Sequence, residues 1–130
     1  MLPLCNANLA SLDPEVATPV YDRSQVRVGI VHLGVGGFHR AHEAMYLDRL
    51  MNAGLASDWG ICGVGVLPSD RPMAEALAAQ DHLYTLVVKH SDGHLEPRVI
   101  GSIVDYLFPP PHGAHPELPD DDEEDASGST

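Results

Sequence analysis

Residues 27–46 read RVGIVHLGVGGFHRAHEAMY, and their order decides the fold. A β-branched apolar run, residues 26–33, predicts a buried strand. Gly34, Gly36 and Gly37 then supply a turn. Residues 39–54 predict a helix, because Ala41, Ala44, Met45, Leu47 and Met51 recur at spacings of three and four. Gly54 stands where a C-terminal cap is expected. A strand, a glycine turn and a helix in this order look like the opening of a dinucleotide-binding unit. The third glycine of the usual fingerprint is missing, however: its place holds His39, followed by Arg40.

Outward from this stretch, WGICGVGVL (59–67) is a second strand-like run and SDRPMAEALAAQ (69–80) a short helix. Pro72 is tolerated there because it falls in the first turn. HLYTLVVKH (82–90) and LEPRVIGSIVDYL (95–107) are two further strand-like runs, and Asp92-Gly93 between them signals a hairpin. The predicted fold class is α/β: a Rossmann-like βαβ unit with a parallel pair of strands, followed by a β-hairpin. Residues 1–25 mix Pro, Asp and isolated apolar positions and read as an N-terminal extension with one short helix. Residues 109–130 carry five of the eleven prolines, an acidic run and one large apolar residue, Leu118. Such a segment buries too little to offset its ordering entropy, and it reads as a disordered tail. The chain thus divides into an extension (1–25), a partial nucleotide-binding domain (26–108) and a tail (109–130).

The net charge of −12 divides unevenly. Residues 1–108 hold all seven Lys and Arg against twelve Asp and Glu; residues 109–130 hold the other seven acids. Neither part offers the basic surface that nucleic acid requires. No apolar run approaches the roughly 20 residues of a membrane span, and the N-terminus lacks the pattern of a signal peptide. A soluble, cytoplasmic protein is expected. Cys5 and Cys62 form no metal-binding spacing and are expected to be buried thiols.

The glycine turn meets two physical needs. Gly34 permits a sharp turn, and Gly36 lets backbone approach a pyrophosphate at the positive end of the helix. Arg40 in the first turn opposes the helix dipole by about 0.3–1 kcal/mol unless an anion binds there. Two readings of Arg40 stand: a phosphate ligand, or a solvated residue paired with Glu43. His39 and His42, at i and i+3, could share a helix face as metal ligands, but no third ligand is evident; local hydrogen bonding is the alternative, and no metal is expected. After the second strand comes Asp70, 34 residues past Gly36. An acid there accepts hydrogen bonds from a ribose and repels a 2′-phosphate, although Ser69 or Asp70 could equally cap the next helix. Arg71 pulls the other way, since a cation there can accommodate a 2′-phosphate. There is no Walker-type loop and no G-x-S-x-G. The only lysine, Lys89, falls on a predicted strand near the hairpin and reads as a solvated surface residue.

Residues 8–51, DWGICGVGVLPSDRPMAEALAAQDHLYTLV (58–87) and RVIGSIVDYL (98–107) resemble the N-terminal domain of the long-chain mannitol dehydrogenase family. GVGGFHRAH and DWGICGVGVLPSD match as phrases, and His-Arg after the glycines is the usual form of that family's loop. The resemblance implies a Rossmann-like domain that binds NAD, metal-independent oxidation of a polyol, and a cofactor loop containing Gly34, Val35, Gly36, Gly37, Phe38, His39 and Arg40. It makes Asp70 the acid favouring NAD over NADP. The family's catalytic lysine lies in a C-terminal domain whose motifs are absent from this sequence. The chain therefore reads as a truncated or frame-altered product, able to bind the dinucleotide and expected to turn over no polyol alone. Two alternatives remain: a non-catalytic nucleotide-binding or interaction module, and a product without function.

Overall fold

A computed structural model describes residues 2–108. The segment read as a disordered tail, 109–130, lies outside the described residues. Strand β1 (Val28–Leu33) runs through the glycine turn into α1 (Gly37–Ala41) and α2 (Glu43–Asn52), and then into β2 (Gly60–Val64). A 3-10 turn (Pro68–Asp70) opens α3 (Arg71–Ala79), and β3 (Tyr84–Lys89), β4 (Leu95–Ile100) and β5 (Ile103–Leu107) follow. Strands β1, β2 and β5 form a parallel sheet in that order, while β3 and β4 pair as an antiparallel hairpin. This is the expected α/β, Rossmann-like arrangement with a hairpin.

The core explains the order. Ile30, Ile61 and Ile103 lie in register across the three strands. They pack with Ala44 and Met45 of α2, Leu77 of α3, Tyr84 and Ile100. Each large apolar side chain buried there contributes about 1.5–3 kcal/mol. The hairpin turn forms at Asp92-Gly93: Gly93 has φ +87°, and Asp92 Oδ1 accepts the His94 N–H at 2.9 Å.

Five expectations need correction. The strand expected to be buried, β1, has no fully buried residue: only Ile30 and His32 are half-buried, and the rest are exposed. The helix read over 39–54 is two helices broken at His42, whose φ of −121° and ψ of −85° leave the helical region. The His42 ring nitrogen Nδ1 and its backbone N–H both reach the Phe38 carbonyl, at 2.9 and 3.0 Å. A side chain competing for a helical carbonyl in this way loosens the turn. The run over 95–107 is two strands, not one. Gly101 donates its N–H to Asp48 at 3.0 Å, and Ser102 Oγ donates to the Ala44 carbonyl at 2.5 Å. Helix α2 thereby pins the break, and β5 leaves the hairpin to become a third parallel strand.

The N-terminal segment, read as an extension with one short helix, has two 3-10 turns instead, Asn6–Ser11 and Arg23–Gln25. Tyr21 Oη donates to the buried Asp48 at 2.5 Å, and Arg23 donates to the Gly101 and Ile103 carbonyls at 2.9 and 2.8 Å. Finally, Cys62 is buried but Cys5 only half-buried, and both are free thiols. Among the described residues no helix is long and apolar enough to cross a membrane.

Candidate cofactor site

The turn after β1 is built by a positive φ. Gly34 sits at φ +80° and donates its N–H to the Val64 carbonyl at 2.7 Å, tying the ends of β1 and β2 together. Val35 then inserts into the core. Gly36 is the N-cap of α1, and the first helical bond runs from the Arg40 N–H to the Gly36 carbonyl at 3.1 Å. The N–H groups of Gly37, Phe38 and His39 precede that bond and have no partner within the helix. Around Gly36 and Gly37 the space a Cβ would take is open to 4 Å. An anion can approach this backbone without displacing anything.

His39 resolves the missing glycine. In the generic fingerprint the third glycine lets helix and strand pack closely. Here the buried His39 ring stacks on the ring of His32, from β1, with centroids 3.8 Å apart. His32 Nδ1 donates to the Gly34 carbonyl at 2.7 Å, so the same pair braces the turn. Burial holds the His39 imidazole below its usual pKa, with the neighbouring His32 adding to the effect. Neither ring nitrogen of His39 has a hydrogen-bond partner among the described residues, and Glu43 lies 3.9 Å from Nδ1.

His32, His39 and Glu43 each bring a ligand atom within 4.8 Å of the others. A metal bound by imidazole lies in the plane of each ring, about 2.0–2.1 Å from nitrogen. Rings stacked at 3.8 Å and inclined by 28° have planes that do not converge at that distance. The trio fits a packed brace better than a chelate. His42 does not share its face: it is exposed and stacks on Phe38 at 4.2 Å.

Arg40 forms no ion pair among the described residues; Glu43 faces His39 instead. The Arg40 guanidinium stays beside the turn, 3.4 Å from the Gly36 carbonyl and 6.0 Å from the Tyr84 ring centroid. Tyr84 Oη donates to the Arg40 carbonyl at 2.6 Å, and burial raises its pKa far enough to keep it a donor at neutral pH. Phe38 stands exposed at the tip of the turn.

Asp70 follows β2 as expected, but it does not cap α3 with its side chain. Its carboxylate turns back and accepts the N–H groups of Val66 and Leu67 at 2.9 and 3.0 Å, both through Oδ2. Oδ1 faces no donor among the described residues. Arg71 lies over the Phe108 ring at 5.7 Å from its centroid. Two open pockets, of about 230 and 290 Å³, lie elsewhere, against Asn6, Arg23 and Ser24. Arg23 there is already bonded to two carbonyls.

Sequence reasoning missed His32 and Tyr84. The signal for His32 was present: it is the one polar side chain in VGIVHL, immediately before the glycines. Tyr84 carried no local signal, because its partner lies 44 residues away.

A parallel sheet whose first strand turns on glycine into a helix, with an acid after its second strand, defines a Rossmann-type dinucleotide-binding domain. The chain belongs to the mannitol dehydrogenase family: the family's Rossmann domain matches residues 28–123. The mannitol 2-dehydrogenase of Pyrenophora tritici-repentis is 52% identical over 109 residues, which are 84% of this chain and 19% of that protein. That of Aspergillus fumigatus is 54% identical over 96 residues, 73% of this chain and 19% of that one. Among solved structures, Pseudomonas fluorescens mannitol 2-dehydrogenase in ternary complex with NAD and D-mannitol superposes with a TM-score of 0.79 at 50% identity. The match covers 82% of this chain and 22% of that one. A substrate-free D-sorbitol dehydrogenase superposes with a TM-score of 0.74 at 39% identity, with the same coverage. The chain spans about a fifth of the length of the curated relatives it matches.

Proposed function

We propose that these residues form the NAD-binding portion of a polyol dehydrogenase of the mannitol type. The observation that carries this reading is the glycine turn, where Gly34 at φ +80° presents the exposed backbone of Gly36 and Gly37 beside Arg40, which forms no ion pair among the described residues. In the proposed complex, the N–H groups of Gly37, Phe38 and His39 and the Arg40 guanidinium receive the pyrophosphate. Asp70 accepts from the adenosine ribose through Oδ1. NAD held by these residues would supply the hydride acceptor for an alcohol carbon. The chain's own part is to bind and orient that cofactor. The His32–His39 stack fixes the turn, and the neutral His39 adds no charge to it.

Alcohol oxidation also needs a base that takes the hydroxyl proton. Lys89 does not suit that role: it is exposed and lies five residues along an extended strand from Tyr84, on the order of 16 Å from that residue. We therefore expect the 130 residues to bind NAD without oxidising mannitol. Amide chemical-shift mapping with NAD tests the binding; shifts should concentrate at Gly34, Gly36, Phe38, Arg40 and Asp70. Shifts scattered over the surface, or reduction of NAD by mannitol, would overturn the respective half of the proposal.

A second reading, a binding module that pairs with another protein, is favoured by one observation. Val31, Leu33 and Leu107 leave an apolar face of the parallel sheet exposed. Parallel sheets are normally covered on both faces. Sedimentation of the chain alone, and mixed with a full-length mannitol dehydrogenase, separates the two readings.

A further inference from the structure

The end of β5 lies beside the turn that follows β2. Tyr106 stands in register with Gly63, and its ring lies 2.8 Å from where a Cβ on that glycine would be. The ring's tip reaches one residue pair further. A Cβ on Gly65 would lie 2.9 Å from Tyr106 Oη and 3.2 Å from Asp70 Cβ. The phenol and the acid crowd one point, and only glycine leaves them room.

Two further facts mark Tyr106. Its hydroxyl is buried and has no hydrogen-bond partner among the described residues. A buried donor without a partner carries a desolvation cost that nothing offsets. The carboxylate of Asp70 has its Oδ2 fixed by two backbone N–H groups, which leaves Oδ1 as the acceptor on offer nearby. Burial raises the Tyr106 phenol's pKa, and the negative charge of Asp70 adds to this, so the hydroxyl keeps its proton. The same strand end also holds the opposing cation, for Phe108 lies under the guanidinium of Arg71.

We propose that Tyr106 is a positioning residue for cofactor choice: its hydroxyl donates to Asp70 when a ribose engages that carboxylate, while Phe108 keeps Arg71 turned aside. The assignment rests on the NAD reading above. The β5 end then favours a free 2′-hydroxyl over a 2′-phosphate in two ways. It orients an acceptor for the hydroxyl, and it withholds the cation that would neutralise the phosphate.

The test is calorimetry of the 130-residue chain with NAD and with NADP, for wild type, Tyr106→Phe, Asp70→Ala and the double variant. Tyr106→Phe should lower the preference for NAD over NADP about tenfold, the effect of losing one hydrogen bond to a charged group. In the Asp70→Ala background the same change should leave the preference unmoved. A purely structural Tyr106 would weaken both ligands equally, and an unchanged ratio in Tyr106→Phe overturns the assignment. Phe108→Leu gives an independent arm: tighter NADP binding supports the withheld Arg71, and unchanged NADP binding contradicts it. If the wild type binds neither dinucleotide, the NAD reading itself falls and this assignment with it.

Discussion

Gly34 carries the turn through its backbone alone. No atom lies within 4 Å of the position a Cβ would take, so Gly34→Ala meets strain and not collision. A left-handed φ costs a non-glycine residue about 1–2 kcal/mol, and denaturant melts should show a loss of that size. His39 adds a pH dependence. Burial holds its native pKa below the ordinary 6.5, so the unfolded chain binds the proton more tightly. Stability is intact above that value and falls as pH drops through it towards the lower native one. His82, also depressed chiefly by burial, acts in the same direction. Thermal melts between about pH 7.5 and 5.5 should show this fall, and a His39→Gln, His82→Gln chain should show less of it. At this scale the sequence was half legible. The order strand, glycines and helix told where the turn is. It placed His39 where a glycine is usual but did not tell how the ring is accommodated, because the stacking partner His32 faces it only after the chain has turned back on itself.

The elements hold together through groups that lie far apart in sequence. Asp48 on α2 is buried and accepts from Tyr21 Oη, from the Gly101 N–H and from Asn52 Nδ2. Three donors around one carboxylate fasten the N-terminal segment, α2 and the β4–β5 break to each other. Tyr21→Phe removes one of them and should cost about 1–2 kcal/mol. Arg23→Ala leaves the Gly101 and Ile103 carbonyls without that donor and should cost at least as much; chemical denaturation measures both. If either variant melts as the wild type does, these bonds do not fasten residues 1–25 to the core. These bonds were not legible in the composition. Isolated apolar and polar residues show no period, so nothing local announces that they clamp a core. The break at Gly101-Ser102 was legible as a small-residue pair inside an apolar run. Its consequence, a third parallel strand, depends on Asp48 and Ala44 and could not be read from the run itself.

At the scale of the whole molecule, the parallel sheet is covered on one face only among the described residues. The other shows Val31 at 65% and Leu33 at 68% exposure, and an apolar patch of this kind binds dyes or partners. The purified chain should enhance ANS fluorescence at neutral pH while still melting cooperatively. Lack of enhancement would mean the face is covered in solution. The α/β class and the hairpin were legible because apolar periodicity and turn residues are local; the one-sided sheet was not, because coverage depends on what packs against it. The central claim is that the glycine turn and Asp70 together hold NAD. Calorimetric titration of the chain with NAD, beside an Arg40→Ala, Asp70→Ala double variant, tests it most directly. Wild type should bind with a Kd of about 1 mM or tighter, near −4 kcal/mol or more favourable, and the double variant should show no measurable binding. A cooperatively folded wild type that gives no heat with NAD, or a double variant that binds as well as wild type, would contradict it.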